Sequence, residues 1–207
     1  MIVLLKEGMN ELKIRDFDNT LVAPARNEAP NLPEGGIDLE IGCGVGLHPL
    51  QYCAKHPERF LIAIERTSER FSKFERRIGT HNTPENLLAI RDDAISYITH
   101  NLPLNSVNRV FLLYPNPYPK TRHLNKRWHA MPFMRQLKSV LRSGGEIVLA
   151  TNEKFYADEA KKYMCSYWGF ELVEDVELAF DFLGRTHFER KYLERKQSCY
   201  NLIFRKL

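Results

Sequence analysis

Ile37-Asp38-Leu39-Glu40-Ile41-Gly42-Cys43-Gly44-Val45-Gly46 sets an apolar run carrying two acids directly against three glycines at alternate positions. The first five residues read as a buried strand and the glycines as a tight turn into a helix. Glycine lets the backbone bend sharply there and lets a ligand approach without a Cβ in the way. The phosphate-binding fingerprint of dinucleotide sites needs a further glycine at position 47, and that position is Leu47. Glu40, two residues before Gly42, would repel a phosphate but attract an ammonium or sulfonium group. The turn therefore points to a positively charged ligand.

Outward from this turn, short apolar runs alternate with helical periodicity. After the first helix, which reaches His56, a second strand covers Phe60–Ile64, with Glu65 closing it, and a charged helix covers Ser68–Ile78. A third strand is expected over Leu87–Ile90 with a helix over Asp92–Thr99, and a fourth over Arg109–Tyr114. A proline-rich loop and a helix around Lys126–Leu141 follow, then a fifth strand over Gly145–Ala150 and a helix over Lys154–Tyr167. Phe170–Glu174 and Cys199–Phe204 read as two antiparallel strands near one edge. This alternation predicts an α/β fold with a mostly parallel seven-stranded sheet and helices on both faces. Residues 1–36, broken by Pro24, Pro30, Pro33 and Gly35-Gly36, read as an N-terminal arm before a domain over 37–207. Ligands of such sheets bind at the carboxyl ends of the strands. Glu65 lies there, 19 positions after Gly46, where nucleoside sites place an acid for ribose hydroxyls. Asp93, after the third strand, is a third acid at a strand end.

The 207 residues are 43% hydrophobic and 27% charged, which suits one ordinary folded domain. No apolar run approaches the ~20 residues of a membrane span, and Met1–Leu5 is too short for a secretory signal. Four cysteines without a C-x-x-C pair suit buried thiols in a reducing, cytoplasmic setting. The seven histidines show no metal-ligand spacing, so no metal is expected. The net charge is only +4, but it is unevenly placed. Residues 94–145 hold eight Lys and Arg and no Asp or Glu, where about six acids would be average. Residues 184–207 add seven basic against two acidic residues. Two positive segments of this kind suit a polyanionic partner.

The E-x-G-x-G-x-G spacing of Glu40, Gly42, Gly44 and Gly46 resembles the first motif of Rossmann-like class I methyltransferases, which use S-adenosylmethionine. That resemblance implies a cofactor site at these residues, Glu65 and Asp93, with Asp93 at the adenine amino group. The loop Tyr114-Pro115-Asn116-Pro117-Tyr118-Pro119-Lys120-Thr121-Arg122-His123 resembles the F-P-D-P-W-x-K-x-R-H motif of bacterial tRNA (guanine-N7-)-methyltransferases. Ala150-Thr151-Asn152 through Ala157 is similar to their A-T-D-x-x-x-Y-A, and Thr186–Arg190 to their T-x-F-E-R. The resemblance implies that Asn116 occupies the catalytic, cofactor-adjacent position. It implies that Lys120, Asn152, Thr186, His187, Phe188 and Glu189 contact substrate, and that the partner is tRNA. Arg122, Lys126, Arg127 and Arg135 are candidates for its phosphates, and Tyr118 and Trp128 for base stacking. Two positions depart from the family: Asn116 and Asn152 stand where it has Asp. An amide accepts and donates hydrogen bonds but carries no charge. Two alternatives follow, a noncatalytic or altered-specificity RNA-binding relative and a methyltransferase for another nucleobase or a small molecule. Monomer and homodimer are both compatible with the sequence.

Overall fold

The computed structural model describes residues 14–80 and 84–207. Among these residues seven strands, β1 (Ile37–Ile41), β2 (Leu61–Glu65), β3 (Leu87–Arg91), β4 (Val107–Leu113), β5 (Leu141–Thr151), β6 (Phe170–Glu177) and β7 (Tyr200–Lys206), form one sheet in the order β3-β2-β1-β4-β5-β7-β6. All pairs from β3 through β5 are parallel, and β7 is antiparallel to both β5 and β6. Only β7 therefore runs against the sheet, and β6, not β7, is its outer strand. Among the described residues six helices pack beside the sheet: α1 (Leu47–Lys55), α2 (Ser68–Thr80), α3 (Ala94–Asn101), α4 (Met134–Val140), α5 (Lys154–Lys162) and α6 (His187–Glu194).

The central strands are covered on both faces, which is why β1 and β2 are buried throughout. Ile37, Leu39, Ile41 and Ile62 join the larger core with Val110, Leu112, Met134 and Phe204. Ala63, Phe71, Phe74 and Phe111 pack on the other face with Cys53 and Tyr52. Buried acids at these strands need partners. Asp38 receives the Tyr52 hydroxyl at 2.6 Å and a two-pronged guanidinium contact from Arg59 at 2.5 Å.

Three expectations are corrected. The helix around Lys126–Leu141 is replaced by 3-10 turns over Thr121–Lys126 and Trp128–Ala130, followed by the short α4. Pro132 disfavours helical backbone at Met131, and the Arg127 guanidinium is bonded to loop carbonyls. Strand β5 starts four residues earlier than expected and passes through Gly144 at φ +74°. Helix α6 was not anticipated, although Thr186-x-x-Glu189 has capping-box spacing: the Thr186 hydroxyl accepts from the Glu189 N–H at 3.0 Å.

Of the expected N-terminal arm, residues 1–13 lie outside the described residues. The remainder crosses the sheet's helical flank, with Ile14, Phe17 and Leu32 against the core. Asp92 fastens it by accepting from the backbone N–H groups of Arg26 and Asn27 at 2.8 and 3.1 Å. Among the described residues no helix is long and apolar enough to cross a membrane.

Candidate active site

A cavity of about 610 Å³ opens at the carboxyl ends of β1, β2 and β4. Strand order reverses between β1 and β4, and this is where open α/β sheets bind ligands. Its walls are the glycine turn, the start of α2, Leu113 and Tyr114 after β4, and Thr186, His187 and Phe188.

Glu40 sits at the floor, only 2% exposed, and its Oε2 lies 2.7 Å from His48 Nδ1. No described residue bonds its other oxygen, Oε1. Gly42 and Gly44 have φ of +77° and +62°, and a Cβ on either would project into open space. The turn thus presents bare backbone and a buried carboxylate to the same cavity. Gly46 differs from its neighbours. It is absent from the lining, and a Cβ there would fall 1.9 Å from the Phe74 ring. Its role is to seat α1 against α2, which corrects its assignment as a cofactor contact.

Glu65 is buried and joins two parts of the wall, accepting from Gly44 N–H at 2.9 Å and Thr67 N–H at 2.7 Å. A carboxylate offers about four acceptor positions, so Glu65 retains capacity for ligand hydroxyls. Asp93 caps α3, accepting from the N–H groups of Ile95 and Ser96, and its other oxygen lies 3.5 Å from Arg66. It does not line the cavity. The lining thiol, Cys43, is pushed well above its usual range by burial, with the charges of Glu40 and Glu65 adding to the effect.

After β4, Tyr114 turns the chain at φ +53°, an uncommon conformation for a side chain of its size. Its hydroxyl donates to Glu189 at 2.9 Å. Glu189 has no exposed surface and also holds Arg185, at 2.6 Å from its guanidinium and 2.5 Å from its N–H. Burial favours the neutral acid, but the Arg185 charge and hydrogen bonds and the Tyr114 hydroxyl outweigh it and hold Glu189 below the ordinary carboxylate range. Glu189 is therefore an anchor beneath the wall, which corrects its expected substrate contact. Thr186 caps α6, while His187 and Phe188 face the cavity. Tyr114 and Arg185 were missed because nothing in their local sequence signals a left-handed turn or a buried ion pair.

The loop after Tyr114 is exposed at Asn116, whose Oδ1 accepts from the Tyr118 N–H at 3.2 Å. Lys120, Arg122 and Lys126 are exposed, with the Lys126 ammonium over the Tyr118 ring at 5.6 Å. Arg127 is not a phosphate contact. It is 5% exposed, forks onto Glu159 at 2.6 and 2.7 Å, and donates to the Tyr118 carbonyl. Arg135 is exposed and pairs with Asp16 at 2.9 Å. Asn152 lies at the end of β5 with its amide 3.3 Å from Glu153. Trp128, a stacking candidate, packs against the core beside Phe133, and His129 is 1% exposed and bonded to Glu159. Among the described residues no three His, Cys, Asp or Glu side chains converge on a metal-sized site.

The sheet order, the glycine cradle and its buried acid define a class I methyltransferase fold. Solved structures agree in architecture: the 16S rRNA methyltransferase KamB superposes with a TM-score of 0.64 at 18% identity, covering 86% of this chain and 96% of that one. A SAM-dependent methyltransferase from Aquifex aeolicus gives 0.57 at 15% identity over 86% and 85%. The family model described as "Putative methyltransferase" matches residues 35–202. A tRNA (guanine-N(7)-)-methyltransferase of Chlorobium phaeobacteroides is 32% identical over 177 residues, 84% of this chain and 82% of the relative. One from Syntrophotalea carbinolica is 27% identical over 98% of this chain and 88% of its own length. The chain belongs to the tRNA (guanine-N7-)-methyltransferase family.

Proposed function

We propose that this protein transfers the methyl group of S-adenosylmethionine to N7 of a guanine in tRNA. The observation that carries the reading is the buried Glu40 carboxylate facing the same cavity as the Gly42–Gly44 backbone, in a chain of this family. These residues fit the donor: an open cradle where side chains would intrude, with an acid set to meet its cationic methionine end. Glu65 would take the ribose hydroxyls. When bound, S-adenosylmethionine supplies an electrophilic methyl on a positively charged sulfur.

Guanine N7 carries a lone pair and no proton, so the protein needs no strong base. Its contribution is orientation and electrostatics. Tyr114, locked to Glu189, fixes where the loop leaves β4, and three prolines restrict the path that follows. The Asn116 side chain, at the motif position where the family has Asp, would meet the guanine edge by hydrogen bonding. Lys120 would contact the substrate near the target base, and Arg122 and Lys126 would supply cations for the tRNA backbone.

The test is incubation of the purified protein with unmodified tRNA and methyl-labelled donor, followed by nucleoside analysis. Label in 7-methylguanosine is expected, and its absence refutes the reading. Glu40→Gln keeps the shape but removes the charge. Donor affinity by calorimetry should fall about 10- to 30-fold, the 1.5–2 kcal/mol typical of one charge-assisted contact.

A further inference from the structure

Helix α2 is not conspicuous in the sequence, because Glu69 and Glu75 are interleaved with Arg70, Lys73, Arg76 and Arg77. Folding sorts these charges by direction. Phe71 and Phe74 turn inward. Glu75 faces a different side, beside Phe71, Ala89 and Arg91. Lys73, Arg76, Arg77 and Thr80, spaced i, i+3, i+4 and i+7, line one open depression of about 580 Å³ with Val45. It adjoins the donor cavity, since Lys73 and Val45 line both.

The band continues onto α6. An Arg77 guanidinium nitrogen lies 3.4 Å from His187 Nε2. Burial, and after it the Arg77 and Arg190 charges, hold the His187 ring below its usual pKa, consistent with cations concentrated at this rim. Among the described residues Arg70, Arg76 and Arg77 have no carboxylate within salt-bridge distance, and Lys73 meets only the exposed Glu69. Like charges at i and i+4, as at Lys73 and Arg77, destabilise an isolated helix. Arg76 donates to the Ser72 carbonyl at 3.3 Å and Arg77 meets His187, but neither partner is a carboxylate, so these two charges remain available to a polyanion lying along the helix.

We infer that the outer flank of α2, through Arg76 and Arg77, is a second phosphate-binding surface for tRNA, on the wall of the donor cavity formed with α6 rather than on the loop after β4. The inference rests on the proposed tRNA substrate. Cations on two sides of one cavity would hold the RNA backbone on both sides of the target nucleotide and resist its rotation.

The experiment measures tRNA binding against salt for the parent, Arg76→Gln/Arg77→Gln, Arg76→Lys/Arg77→Lys and, as a distant control on α1, Lys55→Gln. Removing one cation from a phosphate lowers the slope of log K against log salt by about 1. The glutamine pair should lose about 1 to 2 in slope and about ten-fold in affinity near physiological salt. The lysine pair and Lys55→Gln should keep the parent slope, and donor affinity without RNA should be unchanged in all three variants. A glutamine pair that keeps the parent slope, or that loses donor affinity instead, overturns the inference while leaving the tRNA reading intact. A parent that neither binds nor methylates tRNA overturns both.

Discussion

The acid-free segment 94–145 and helix α2 invert each other's promise. The segment carries eight cations and no acid, yet the fold draws half of them into the protein. Arg109 pairs with Glu146, Arg127 with Glu159, Lys138 donates to the Trp168 carbonyl, and Arg142 donates to the carbonyls of Glu34, Gly35 and Asn105. Helix α2 holds four cations against two acids and still presents a cationic flank. Charge counted along a chain measures supply. The direction of each side chain decides what a partner meets.

The contrast can be broken most directly at two adjacent residues. Arg127→Ala leaves Glu159 and His129 facing a vacated guanidinium site. Removing one partner of a buried pair costs about 3–5 kcal/mol, so urea unfolding should show a loss of that order. Lys126→Ala should stay within about 0.5 kcal/mol while weakening tRNA binding. Equal stability losses would mean that Arg127 is no more structural than its neighbour.

Acid sharpens the same point. Burial raises the Glu159 pKa, but hydrogen bonds and charges from His129 and Arg127 outweigh it and hold the native value below the ordinary range. The stability this supplies is complete above the unfolded glutamate value and is lost as pH falls through the native one. His129 is held below its ordinary value by burial, against the pull of Glu159. Its contribution is likewise present above about pH 6.5 and lost as pH falls through its native pKa. Both act in one direction, so the urea midpoint should decline on acidification from about pH 6.5. Arg127→Ala should change the shape of that decline. A parent midpoint that rises on acidification would contradict the assignment.

Smaller effects concern the loop after β4. Asn116→Asp restores a charge at the position where the family has Asp, and charge-assisted hydrogen bonds are worth about 1 kcal/mol more than neutral ones. A rise of about five-fold in kcat/KM for tRNA is expected. An inactive parent that gains activity only with Asn116→Asp and Asn152→Asp together would favour the noncatalytic relative. Tyr114→Phe deletes one hydroxyl while Arg185 still holds Glu189, so stability should fall by only about 1 kcal/mol.

What could be read from residues alone was local. The β1 glycine turn, Glu40 and the strand-end position of Glu65 follow from short-range spacing, because strand, turn and helix form from neighbouring residues. The loop motif identified the family by the same kind of short pattern. Gly46 illustrates the limit: its glycine is legible, but the reason is Phe74, 28 positions away.

The sequence by itself determined the parallel α/β core, the donor turn and the family. Tertiary structure alone decided that Arg127 and Glu189 are buried anchors, that β7 inserts between β5 and β6, and that the cations of α2 share one flank. The physical reason is that burial and ion pairing depend on segments far apart in the chain, 32 positions for Arg127 and Glu159 and 75 for Tyr114 and Glu189. No local spacing encodes which of those segments will meet.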